Sequence, residues 1–257
     1  MILDHPTISE RYFFPRHESF DRPFWVDAGD VRLACYYAGT PAGDLTFVHF
    51  HGNGEVVADY LPDYVDAMLM LGLNVCLVEY RGYGASTGVP ALCAMLDDVD
   101  AVVAALAVPA ERLIVYGRSV GSLYALELAH RHPGIAGLVL ESSIADLHER
   151  LLLRVTPEEL GVTEQALAAA VAERFDHRAK LGSYRGPLLV MHALDDDLVD
   201  PAHGQLHFQW AGSADHDKEL VLFDYGGHNA LMAANWPRYV GTLEAFVTRI
   251  RRRGTGR

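Results

Sequence analysis

Three cysteines, Cys35, Cys76 and Cys93, in 257 residues are too few for a disulfide framework. The first two lie in apolar, strand-like runs, so the cysteines read as small core residues in a reducing compartment. Positive charge is scarce against negative: the formal net charge is -13, which argues against the broad basic footprint of a nucleic-acid-binding protein. Arg249, Arg251, Arg252, Arg253 and Arg257 do gather near the C-terminus, where they read as a solvated helix end. From Met1 to Phe20 there is no uninterrupted apolar stretch, because Asp4, Glu10, Arg11, Arg16 and Glu18 break it up. No signal peptide or integral membrane segment is expected, and a cytoplasmic location is. There is no internal repeat, low-complexity tract or domain linker.

What is present is a chain with 50% hydrophobic residues, long enough to bury one large core, so a single domain over residues 1–257 is expected. Strand-like runs are read at Phe24-Val26, Val31-Tyr37, Leu45-Phe50, Asn74-Tyr80, Leu113-Tyr116, Gly137-Leu140, Pro187-His192 and Glu219-Phe223. Helical patterns alternate with them at about 57–71, 92–106, 120–131, 201–210 and 236–252. This order implies an α/β fold: a mostly parallel central sheet with helices on both faces, led by an antiparallel edge. Between Ser143 and Arg185 the alternation stops, leaving helical patterns at about 147–155 and 163–175, the second opening on Thr163 as a cap. That insertion, at about 144–185, is expected to form a small helical cap over the C-terminal edge of the sheet, where ligands of open α/β sheets bind.

Gly117-Arg118-Ser119-Val120-Gly121 carries the chemistry. It joins a strand-like run to a helical one, and a serine in so sharp a turn needs small residues two positions away on each side. The turn would expose the Ser119 oxygen with the helix N-terminus aimed at it. Free serine is a weak nucleophile, so a histidine must take its proton and a carboxylate must hold that imidazole in the right tautomer. Among thirteen histidines, His228 follows the last strand in a Gly-rich turn, Tyr225-Gly226-Gly227-His228-Asn229. The acid is expected after the preceding strand, where Asp195, Asp196 and Asp197 are all available and counting from the strand does not choose among them. The order serine, acid, histidine is that of the hydrolases with a G-x-S-x-G turn. One oxyanion donor is expected from the Val120 backbone N–H and a second from the loop after His51-Gly52.

These segments, with Phe50-His51-Gly52-Asn53-Gly54, Tyr80-Arg81-Gly82-Tyr83-Gly84-Ala85-Ser86-Thr87-Gly88 and the stretch from His192 to Val199, resemble α/β-hydrolase fold serine hydrolases. More narrowly, they resemble the group of alpha/beta hydrolase domain-containing proteins 13 and 17 and the Bem46-like proteins, over nearly the whole chain from about Tyr12. The family pattern His-Gly-x-x-Asp-x-x-Val implies Asp196 as the acid. Asp195 is the second candidate, since Ala193 replaces the family glycine. Similarity to the fold implies that Asn53 supplies the second oxyanion N–H.

The resemblance implies a serine hydrolase that cleaves carboxylic esters or thioesters through an acyl-enzyme, with Ser119, His228 and Asp196 as triad and no metal or organic cofactor. Thioesters are suggested by the depalmitoylases among the protein 17 relatives, although no counterpart of their Cys-rich N-terminal anchor, or of the leading membrane segment of the Bem46-like proteins, is expected from this sequence. The expected partner is a small acyl ester or thioester. Amide or peptide cleavage on the same triad is an alternative, as is a non-catalytic binding protein of the same fold. A dehalogenase of this fold would carry aspartate where Ser119 stands. Tyr83 and Arg118 are candidate substrate contacts, Arg118 for an anionic group unless it is buried against a carboxylate such as Glu141. Glu55, Asp59 and Tyr60 are either substrate contacts or ordinary residues at a helix start. His49 and His51 are expected on opposite sides of the sheet, unable to share a metal ion.

Overall fold

A computed structural model describes residues 1–40 and 43–255. Its eight strands are β1 (Phe24–Ala28), β2 (Val31–Ala38), β3 (Leu45–Phe50), β4 (Leu73–Val78), β5 (Leu113–Arg118), β6 (Gly137–Glu141), β7 (Leu188–Ala193) and β8 (Lys218–Phe223). They form one sheet in the order β1-β2-β4-β3-β5-β6-β7-β8. The β1–β2 and β2–β4 pairs are antiparallel, and the pairs from β4 to β8 are parallel. This is the mostly parallel sheet led by an antiparallel edge that the alternating pattern implied.

The helices are α1 (Pro6–Tyr12), α2 (Asp63–Met70), α3 (Leu92–Leu106), α4 (Gly121–Arg131), α5 (Leu147–Leu152), α6 (Glu164–Phe175), α7 (His177–Ser183), α8 (Ala202–Trp210), α9 (Leu231–Ala234) and α10 (Trp236–Thr255). The helix expected over 57–71 is split, with a 3-10 turn over Val57–Tyr60 preceding α2, because Pro62 supplies no N–H between them. The other long helices fall where the pattern put them. Thr163 caps α6 through its hydroxyl, which accepts from the Ala166 N–H at 3.2 Å. Helices α5, α6 and α7 occupy the stretch between β6 and β7 in which no strand was expected.

Alternation along the buried strands divides the core in two. Val48 and Phe50 of β3, Val115 of β5 and Val190 of β7 face α3 and α4. Phe47, Tyr116 and Met191, on the opposite side of the same strands, pack with α2 and α10. A side-chain period of two thus supplies two apolar faces, and each must be covered by helices. Cys35, Cys76 and Cys93 are buried and unpaired, all on the first of these sides. No described helix is long and apolar enough to cross a membrane.

The C-terminal arginines are not simply solvated. Arg249 pairs with Glu219, Arg253 with Asp217, and Arg251 with Asp44 while also donating to the Leu71 and Gly72 carbonyls. They fasten α10 to the N-terminal edge of the sheet. Arg257 lies outside the described residues.

The turn between β5 and α4 sets the position of Ser119. Its backbone has φ of 52°, a left-handed conformation that is costly for serine and held by the elements on either side. A Cβ on Gly117 would lie 2.5 Å from the Gly121 carbonyl oxygen, and one on Gly121 would lie 2.2 Å from the Phe50 carbonyl oxygen. The second clash is with the backbone of β3, which cannot rotate away. Alanine ordinarily favours a helix by about 1 kcal/mol over glycine, but here overpacking outweighs that gain. Gly121→Ala is expected to destabilise the fold by about 1–3 kcal/mol, read as a lower denaturation midpoint; an unchanged or raised midpoint would contradict the packing argument.

Candidate active site

Three loops at the C-terminal ends of the parallel strands converge on Ser119. His228, in the loop between β8 and α9, lies with Nε2 2.9 Å from Ser119 Oγ and Nδ1 2.8 Å from Asp196 Oδ2. All three residues are buried, and the Asp196 side chain is fully enclosed. The structure therefore brings together the serine, histidine and aspartate read from the sequence.

Asp196 and Asp195 do different work, although adjacent. Asp196 Oδ1 accepts from the Leu198 and Val199 N–H groups at 3.0 and 2.9 Å, while Oδ2 faces both His228 and His192 Nε2, the latter at 3.1 Å. Burial alone would raise its pKa, but the hydrogen bonds from His192 and His228 outweigh it and hold the carboxyl well below the usual range. Asp195 turns outward and accepts from the Gly227 and Gly226 N–H groups at 2.7 and 3.2 Å, which pins the loop that presents His228. Thus the replacement of glycine by Ala193 leaves Asp196, not Asp195, against the imidazole.

Asn53 and Val120 line the same cavity as Ser119, about 220 Å³ in volume. Among the described residues neither backbone N–H donates to a protein acceptor. The Asn53 side chain is occupied elsewhere: its Oδ1 accepts from the Phe14 N–H and the Tyr83 hydroxyl, and its Nδ2 donates to the Tyr12 carbonyl. The segment after α1 is thereby drawn across the site. Tyr12 and Phe14 line the cavity as a result, which the sequence reading missed because nothing local marks an N-terminal segment as a wall of a distant site. Arg150 and Arg154, at and just beyond the end of α5, complete its rim and were also missed.

Two proposed substrate contacts are corrected. Tyr83 is fully buried and does not line the cavity; its hydroxyl orders the Asn53 side chain. Arg118 points away from the cavity into a buried network, pairing with Glu55 through Nη1 and with Glu141 through Nε at 3.3 Å. Its Nη2 donates to the His228 carbonyl at 2.5 Å. Glu55 in turn accepts from the Gly52 N–H at 2.6 Å and the Tyr60 hydroxyl at 2.7 Å, and Asp59 pairs with Arg16 at 2.7 Å. None of Glu55, Asp59 and Tyr60 lines the Ser119 cavity.

His49 and His51 do face opposite sides. Strand alternation would place residues two apart on one face, but β3 ends at Phe50 and the chain turns before His51. His49 bonds to the Tyr64 hydroxyl at 3.0 Å, whereas His51 Nε2 meets Glu79 at 2.8 Å and Nδ1 meets the Gly52 carbonyl at 2.8 Å. Among the described residues no group of three or more His, Cys, Asp or Glu could hold a metal ion. A larger groove of about 690 Å³ beside α10 contains none of the motif residues.

An eight-stranded, mostly parallel sheet with a strained serine between β5 and α4 defines an α/β hydrolase. A family profile described as "Serine aminopeptidase, S33" (Hydrolase_4) matches residues 44–181, and the chain belongs to that family. The chain is also similar to the alpha/beta hydrolase domain-containing protein 17 group. It is 26% identical over 228 residues to protein 17C of Mus musculus and 26% identical over 224 residues to protein 17B of Xenopus tropicalis, covering 86% and 84% of this chain. The match spans 65% of the mouse protein and 71% of the frog protein. Among solved structures it resembles a Pyrococcus furiosus esterase, with a TM-score of 0.73 at 18% identity over 91% of this chain and 98% of that one. It also resembles Est1E of Butyrivibrio proteoclasticus, solved with ferulic acid, with a TM-score of 0.71 at 16% identity over 88% of this chain and 98% of that one.

The His51–Glu79 pair generates a pH prediction. Burial by itself lowers the His51 pKa, but the Glu79 charge and hydrogen bond, with the Gly52 carbonyl, raise it above the ordinary 6.5. A raised folded-state pKa gives stability that is full below the unfolded value and is lost as pH rises through the folded one. Tm is therefore expected to fall from about pH 6 to about pH 9 more steeply in the wild type than in His51→Gln. Parallel profiles in differential scanning calorimetry would refute the raised His51 pKa.

Proposed function

We propose that this protein is a serine esterase acting on small carboxylic esters through an acyl-enzyme. The observation that carries this reading is the single imidazole bridging Ser119 Oγ at 2.9 Å and Asp196 at 2.8 Å. Ser119 Oγ attacks the ester carbonyl while its proton passes to His228 Nε2. Asp196 holds the Nδ1 proton and stabilises the imidazolium. The oxyanion of the tetrahedral intermediate is received by the Asn53 and Val120 N–H groups, and loss of one such donor typically costs about 3 kcal/mol. Collapse expels the alcohol, which takes the proton from His228, and water then repeats the sequence to free the acid. The similarity to solved esterases supports the same reading.

A thioester enters the same steps with a thiol as leaving group. Cavity size bears on chain length: at about 220 Å³ the site is below the range of about 300–1,000 Å³ usual for drug-sized ligands, which suits short acyl groups. An aminopeptidase reading, the family description notwithstanding, fits less well. Such an enzyme must hold a substrate ammonium, and no carboxylate lines the described cavity.

A fluorophosphonate probe is expected to label Ser119, with the adduct located by mass spectrometry and lost in Ser119→Ala and His228→Ala. Failure of the folded wild type to react would remove the hydrolase mechanism and favour a binding role. On short-chain esters Asp196→Asn is expected to lower kcat/KM on the order of a thousandfold or more. Asp195→Asn, which loosens only the loop, is expected to lower it less than about tenfold. Equal losses would show that Asp195 and Asp196 do not divide the work in this way.

A further inference from the structure

We propose that Arg150 and Arg154 read an anionic group on the substrate, so that the preferred esters carry a carboxylate or phosphate besides the scissile bond. This rests on the esterase reading of the Ser119 site. Both arginines line the Ser119 cavity, together with Ser119 and His228, and no carboxylate does. In a chain with a net charge of -13, a cavity whose only formal charges are two guanidinium groups is a local inversion of sign.

Among the described residues no carboxylate holds either guanidinium group. Arg11, Arg16, Arg81, Arg118 and Arg131 each hold a carboxylate within ion-pair distance. Among the described residues neither Arg150 nor Arg154 does. Two acids close in sequence are engaged elsewhere: Asp146 caps α5 by accepting the Glu149 N–H at 3.0 Å, and Glu159 pairs with Arg11 at 2.6 Å. The two arginines stand four positions apart at the end of α5, with the Arg154 N–H bonded to the Leu151 carbonyl at 2.9 Å, so the helical turn continues between them and keeps them on one face. Arg154 lies over the Phe14 ring, 5.3 Å from its centroid. Burial raises the pKa of Tyr12, another wall residue, and both guanidinium groups oppose that shift, which brings their fields to one point of the cavity.

Two planar forks lining a small cavity of mixed polarity match the oxygens of a carboxylate or phosphate and would orient the ester toward Ser119. The overall negative charge repels anions, so a preference for an anionic ester must come from local contacts.

The test compares kcat/KM for two matched pairs. One is the para-nitrophenyl half-ester of glutaric acid against para-nitrophenyl butyrate, with the charge on the acyl side. The other is butyrylglycerol phosphate against butyrylglycerol, with the charge on the leaving-group side. In the wild type the anionic member of at least one pair is expected to be favoured about fivefold or more, and the preference should shrink as salt is raised. It should fall in Arg150→Gln and Arg154→Gln, reverse in the doubly substituted Arg150→Glu, Arg154→Glu protein, and persist in Arg32→Gln, a charge-matched change on the far β-hairpin. Circular dichroism checks that each variant is folded. Ser119-dependent turnover without an anionic preference, or a preference that survives loss of both arginines, overturns this inference and leaves the esterase reading standing. No Ser119-dependent turnover of any of the four esters overturns both.

Discussion

A single buried guanidinium ties the site together. Arg118 occupies the second position of the G-x-S-x-G turn, and from there it reaches Glu55 in the loop after β3, Glu141 at the end of β6 and the carbonyl of His228 in the loop after β8. Glu55 passes the connection on to the N–H of Gly52, the residue before Asn53. Removing one partner of a buried ionic group typically costs about 3–5 kcal/mol, because the remaining charge is left without compensation. The relative positions of the elbow, the histidine loop and the Asn53 loop are thus coupled through one side chain that never meets the cavity.

Around that network each loop has its own restraint. Glycines allow α4 to approach β3 closely enough to leave Ser119 at a positive φ. Asp195 holds the two glycines before His228, and Asp196 is enclosed by two backbone N–H groups and two imidazoles. The Asn53 side chain draws the N-terminal segment across the opening. Preorganisation of this kind fixes polar groups before substrate arrives, which is where most electrostatic stabilisation of a transition state originates.

The charge pattern divides along the same lines. Acidic residues are spent on arginines behind the elbow, in the Arg131 cluster of α4 and at the foot of α10. The cavity itself is lined by two arginines that, among the described residues, have no carboxylate within ion-pair distance. Its walls come from the end of α1 and the residue Phe14 beyond it, the loops after β3, β6, β7 and β8, the elbow and the end of α5, elements widely separated in sequence.

The strands were legible because a sheet buried on both faces reads as continuous apolar runs, and α3 and α10 because their periodicity is long and unbroken. Ser119 and His228 could be found from local sequence, since their turns need glycine at fixed offsets. The choice of Asp196 over Asp195 followed only from a family pattern, and its physical basis is tertiary: one carboxylate turns in toward His228 while its neighbour turns out to Gly227. Arg118 looked like a substrate contact because adjacency to the nucleophile says nothing of which way the next side chain points. Arg150, Arg154, Tyr12 and Phe14 carried no signal at all. Local sequence determined the elements and the turns that bear the reactive groups, because those depend on neighbours along the chain; which side chains share a cavity was decided by packing between distant elements, which no short stretch encodes.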